Sequence, residues 1–232
     1  MKKIFLIVLL SPLVFFGCQE NERLLFDVSN SALNFTLPRS TPDSLYVNFM
    51  FLPDDQVKET ISVQVDLIGL PTDESREYMV RVVSDESTAE AGIHYETLMS
   101  KSVFGGDKSL SDLFEVEVLR DASMREETYR LYVEFEYQGD FNPGVPSKQF
   151  FILNITDNLL IPPPFWKGNY LHYRAGAYHW KKCKKFIEIA GVDSPIWHPD
   201  PYAAMDVYVK KCKVWFEENP TYDEDGNRLY FQ

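Results

Sequence analysis

Several things are scarce in this 232-residue chain, and each scarcity excludes a class of chemistry. Cations are few, with 23 Lys and Arg against 35 Asp and Glu and a formal net charge of −12. A nucleic-acid surface needs a basic stripe, so that partner is excluded, and so is direct contact with an anionic membrane. Only four histidines occur, His94, His172, His179 and His198, and none has a partner three or four residues on. A helix-borne metal site is therefore not expected. The HExxH, GxSxG, Walker and GxGxxG patterns are all missing, which removes the usual metalloprotease, hydrolase and nucleotide-binding signatures. Asp223 to Asn227 lacks the alternating order of a calcium loop and reads as an Asp-Gly-Asn turn. Carboxylates are numerous, but nothing in the sequence converges them into an acid–base pair. The chain reads as a non-enzyme with no cofactor and no metal. Repeats and low-complexity tracts are also missing.

What is present begins at the N-terminus. Lys2 and Lys3 precede an apolar run from Ile4 to Phe16, and Gly17-Cys18 closes it. That is the shape of a secretory signal, and the run is short of the roughly 20 residues that span a bilayer. A cysteine directly after the small residue predicts a lipoprotein signal over 1–17, with Cys18 lipidated and residues 18–30 as a tether. Several acyl chains on one cysteine give stable anchoring. Loss of Lys2 and Lys3 brings the mature chain near −14. Cys183 and Cys212 are then the two remaining cysteines. In an oxidising compartment they form either a disulfide or two buried thiols.

Residues 31–157 read as short strands separated by turns. Thr60 to Ile68 alternates most cleanly, with Ile61, Val63, Val65 and Leu67 on one face. Leu33–Leu37, Leu45–Leu52, Arg76–Val83, Phe114–Leu119, Tyr129–Tyr137 and Gln149–Ile155 follow the same period of two, and Leu24–Val28 is a further extended segment. The 17 Phe and 13 Tyr suit strands. The fold class is mainly β, an immunoglobulin-like antiparallel sandwich, followed by a small helical α+β subdomain. Ile161 to Pro164 is a stiff proline run within a junction over 158–166.

The character changes beyond it. Residues 19–165 carry 26 acids and 11 Lys/Arg, whereas 166–232 carry 9 acids and 10 Lys/Arg. The spacing predicts a helix from His179 to Gly191, with Cys183, Phe186, Ile187 and Ala190 on its apolar face, and a second from Asp200-Pro201 to about Glu218. Residues 167–232 thus form the helical subdomain, ended by a turn and a short strand. All four tryptophans lie in this last third. Trp180 and Trp215, on helices, are expected to pack. Trp166 seats the junction and Trp197 lies on a loop, and these two are the candidate ligand or partner contacts.

Three resemblances add to this. Gln19-Glu20-Asn21-Glu22 resembles the acidic export signal that sends Bacteroidota lipoproteins to the cell exterior; a plain polar tether is the alternative. Ala89 to Tyr95 resembles the Ala-Gly-x-Asp-Tyr loop of Calx-β sandwiches, with His94 where an acid usually stands. Together with Val65-Asp66-Leu67-Ile68-Gly69 and the Pro163–Trp166 junction, the chain resembles a family of Bacteroidota surface lipoproteins of unknown function. That resemblance implies an outer-membrane, surface-facing accessory subunit of a glycan or peptide uptake complex of the starch-utilisation type. Its partners would be a TonB-dependent barrel and a lid lipoprotein. The alternative is a free-standing glycan-binding lipoprotein.

Overall fold

The computed structural model describes residues 31–38, 43–99, 101–136, 139–166, 170–196 and 202–232. Cys18, the 18–30 tether, Leu24–Val28, Trp197 and Asp200-Pro201 lie outside these. The strands are β1 (Ala32–Thr36), β2 (Ser44–Asn48), β3 (Lys58–Ile68), β4 (Arg76–Val82), β5 (Lys101–Phe104), β6 (Ser111–Leu119), β7 (Tyr129–Glu136), β8 (Asn142–Pro143) and β9 (Phe150–Thr156). They form a four-stranded sheet in the order β6-β3-β1-β8 and a five-stranded sheet in the order β2-β9-β7-β4-β5. The protein is mainly β, a sandwich with a small helical part.

The alternating sequence explains the two layers. Ile61, Val63 and Val65 of β3 point inward, and so do Leu131, Val133 and Phe135 of β7. Between the sheets Phe35 of β1 stacks on Phe135 at 3.9 Å between ring centroids, and Phe151 of β9 meets Phe35 edge-on at 4.8 Å. Such aromatic pairs add to the area they bury. Gly69 ends β3 at φ +143°, where a Cβ would meet Ser31 Oγ at 3.0 Å.

The sheets are not purely antiparallel. β1 pairs antiparallel with β3, but β2 lies in the opposite sheet and runs parallel to β9. β1 and β2 thus divide between the two sheets of the sandwich. β8 also runs parallel to β1. β5, β8 and the first helix have no sequence expectation behind them: four, two and six residues are too few to show a period.

The expected strand over Leu45–Leu52 stops at Asn48. A 3-10 turn follows over Phe49–Phe51, started by the Asn48 side chain, which accepts from Met50 N at 3.0 Å. The reason is burial on two sides. Phe49 enters the sandwich core, while Met50 and Phe51 enter a second core. A strand would have sent Phe49 and Phe51 the same way.

That second core belongs to α1 (Tyr170–Ala175), α2 (Trp180–Ala190), α3 (Tyr202–Glu218) and the hairpin β10 (Thr221–Tyr222) and β11 (Arg228–Leu229). α2 starts at His179, whose Nδ1 accepts from Lys181 N, and ends at Gly191 with φ 70°. Asn48 N donates to Pro195 O at 3.0 Å, tying the α2–α3 connection to the end of β2. Among the described residues no helix is long and apolar enough to cross a membrane.

Candidate functional site

Residues just beyond strand ends lie on loops held in place by a rigid scaffold, where binding groups concentrate. Here Arg120 follows β6 and Asp157 follows β9. Arg120 Nε and Nη2 donate to Asp157 Oδ2 and Oδ1, both at 2.9 Å, in a two-pronged ion pair. Both side chains are nearly buried, at 10% and 6% exposure. Arg120 Nη1 donates to Pro53 O at 2.8 Å, and the guanidinium lies over the Phe49 ring. Asp157 N donates to Met124 O at 2.9 Å. A 3-10 turn over Ala122–Arg125, started by Asp121, places Arg125 beside the pair.

This pair is the floor of an open crevice of about 540 Å³ where the sandwich meets the helices. Its volume falls in the range of ligand sites, roughly 300–1,000 Å³. Asp54, Arg125, Asn158, Leu160, Trp180 and Lys184 are among its walls. Trp180 and Lys184 stand one turn apart on α2. The indole is oriented by its Nε1–H, which donates to Glu224 Oε1 at 3.1 Å. His179 Nε2 lies 2.9 Å from Glu224 Oε2 and Lys181 Nζ 3.4 Å from Oε1. The hydrogen bond from His179, with help from Trp180 and Lys181, lowers the Glu224 carboxyl to about 2. Glu224, 63% exposed, accepts from the indole at the mouth of the crevice.

Of the residues singled out in the sequence, Cys18 and Trp197 lie outside the described residues. Trp166 is a correction: it is 1% exposed and offers no surface to a ligand. Its ring meets Tyr178, Phe186 and Phe231 edge-on, and its Nε1 donates to Gly176 O at 3.3 Å. The proline junction turns it inward, with Trp166 N donating to Pro163 O. Trp180 reverses in the other direction, half-buried at the crevice rather than packed in a core. Cys183 and Cys212 stand as two buried free thiols, not as a disulfide. Burial raises both above the ordinary value of 9.0, Cys212 to about 12.

His94 is buried and stacks on Tyr129 at 3.7 Å. Its Nδ1 accepts from Glu90 N at 2.9 Å, so it fastens the 89–95 loop; burial lowers its pKa. Asp223 Oδ1 accepts from Asp225 N and Asn227 N, which makes the 223–227 segment a side-chain-closed turn. Among the described residues no group of three or more His, Cys, Asp or Glu is placed to hold a metal ion.

Sequence reasoning missed Arg120, Arg125, Asp157 and Lys184. Arg120 and Asp157 are 37 residues apart and carry no local pattern. The one legible sign was position, since each directly follows a strand.

A family model described as "Domain of unknown function (DUF4843)" matches residues 26–192. Two solved structures, both from Bacteroides, are similar to part of the chain. One, from Bacteroides ovatus, is described as a candidate carbohydrate-binding protein. It is 15% identical with a TM-score of 0.35, over 55% of this chain and 37% of the other. A two-domain protein of unknown function from Bacteroides fragilis is 11% identical with a TM-score of 0.34, over 57% and 47%. The chain thus spans less than half the length of either. No curated protein matches the chain.

Proposed function

The chain belongs to the DUF4843 family, and from that premise we propose that it is a surface-tethered binding subunit of a nutrient-uptake complex, with the junction crevice as its contact site. The observation that carries this reading is the crevice itself. It is an open cleft with a buried ion pair for a floor, and an oriented indole and a lysine on one wall. Such a combination of an aromatic side chain, with His179 and Lys181 beside its ring, and a few polar groups suits recognition of a passing ligand.

Tethering rests on the sequence. The signal over 1–17 would leave Cys18 lipidated, and the acidic residues after it would direct the protein to the outer face of an outer membrane. The partners in this reading are a TonB-dependent barrel and its lid lipoprotein, with a glycan or peptide as cargo. The test is a mild-detergent pull-down of the tagged full-length protein from native outer membranes. Co-recovery of a barrel and a lid lipoprotein is expected, and the Cys18→Ala variant should appear in the soluble fraction. Recovery of the protein alone, from membranes in which the importer stays assembled, overturns the uptake-complex role. In that case free-standing glycan binding takes its place.

A further inference from the structure

Outside the Arg120–Asp157 pair, the charges of the crevice do not meet within hydrogen-bonding distance. The Arg120–Asp157 pair is closed on itself and buried. Arg125 is 74% exposed, and its Nε stands 3.8 Å from Asp157 Oδ2. Lys184, 40% exposed, has its Nζ 3.8 Å from Asp54 Oδ1. Arg120 Nη2 is also 3.8 Å from Asp54 Oδ1. Charge-assisted hydrogen bonds to oxygen are about 2.7–2.9 Å long, so none of these three contacts is one. Asp54 is 86% exposed at the rim. It marks the place between Arg120 and Lys184 where a carboxylate is electrostatically favoured, without filling it. Arg120, Arg125 and Lys184 face Asp54 and Asp157 in this cleft, three cations against two acids in a chain of net charge −12.

Trp180 adds a second requirement. Its ring is one helical turn before Lys184 and is held in orientation by Glu224. A pyranose ring has a C–H face that stacks on an indole. A uronate carries its carboxylate at the edge of that same ring, within reach of a lysine beside the stack. An acidic peptide side chain offers the carboxylate without the C–H face.

We infer that the crevice binds an acidic glycan, with Trp180 stacking on a sugar ring and Lys184 and Arg125 receiving its carboxylates. This rests on the crevice being the contact site proposed above and names the class of its ligand.

The experiment is titration calorimetry on the purified full-length protein with three probes: an oligogalacturonide, a maltooligosaccharide of equal length and a hexaglutamate peptide. Binding of the oligogalacturonide is expected, weakening as salt is raised because exposed charges are screened. Lys184→Ala should lower the affinity about tenfold, the equivalent of one charge-assisted hydrogen bond, with Lys184→Arg restoring most of it, and Trp180→Ala should lower it about tenfold through the lost stacking contact. Both alanine variants must melt with the wild type, which their partial exposure favours. Equal or tighter binding of the neutral oligosaccharide overturns the carboxylate requirement and leaves the crevice as a glycan site. Preference for the peptide overturns the glycan. Binding of no probe overturns this inference outright, while the pull-down judges the uptake reading separately.

Discussion

Single residues in this protein are decided by what they touch rather than by their type. Arg120 is a cation in an acidic chain, yet its guanidinium is nearly buried, satisfied by Asp157 and Pro53 O and laid over Phe49. Lys182 is 5% exposed and donates to Ala175 O and Ala177 O at the C-terminal end of α1, with the rings of Trp166 and Phe231 beside it. Cations are favourable at helix C-termini, although burial still lowers this amine to about 8. The Arg120–Asp157 pair gives a direct test. Removing one partner of a buried pair leaves an uncompensated charge and costs about 3–5 kcal/mol. Arg120→Met should therefore lower the urea midpoint strongly, and Arg120→Met with Asp157→Leu should regain part of the loss. Equal midpoints for Arg120→Met and the wild type would show that the pair does not hold the crevice floor.

At the scale of elements, α2 organises the helical part. Its apolar face was readable from the spacing of Cys183, Phe186 and Ile187, all of which are buried, and its end from Gly191. Its polar start was not readable as a site, because Trp180 and Lys184 gain meaning only from Asp54 and Arg120 across the cleft. The buried thiols of α2 and α3 make the packing pH-sensitive. Unfolded, both ionise near their ordinary value of 9.0, whereas Cys212 folded holds its proton to about 12 and Cys183 is likewise raised by burial. Their contribution to stability is whole below pH 9.0 and is lost as pH climbs toward those folded values. Lys182 acts in the opposite sense. Its folded value of about 8 lies below the ordinary 10.5, so its penalty is relieved between them. The thiols can be isolated with the Cys183→Ala/Cys212→Ala variant. Its melting temperature should lie below that of the wild type at pH 7.5, and the gap should narrow at pH 10.5. A gap independent of pH would dissociate the thiols from alkaline destabilisation.

At the scale of the whole molecule, two cores share one short segment. Phe49 lies in the sandwich core, and Met50 and Phe51 lie in the helical core. Phe51 also meets Phe165 at 5.7 Å between ring centroids. The Asn48 N to Pro195 O bond adds a backbone link at the same place. These connections predict that the sandwich and the helical part unfold together, in one calorimetric transition whose calorimetric and van't Hoff enthalpies agree. Phe51→Ala, which removes about 3 kcal/mol or more of core packing, should split that transition into two. Two transitions in the wild type would mean that the shared segment does not couple the cores.

The sequence by itself determined the β-rich layer, the inward faces of β3 and β7, the span of α2, the end of α3 and the turn at Asp223, because each rests on a local period, a cap or a side-chain-closed turn. Tertiary structure alone decided three things. Trp166, a candidate contact as well as the seat of the junction, went inside because the proline junction folds back onto α2. The strand after Ser44 broke at Asn48 because neighbouring phenylalanines had to fill different cores. The crevice arose because Asp54, Arg120, Asp157 and Lys184, far apart along the chain, were brought to one end of the sandwich. Periodicity reports which face of an element is buried; it carries no information on which distant elements share a rim, since that follows from how the layers pack.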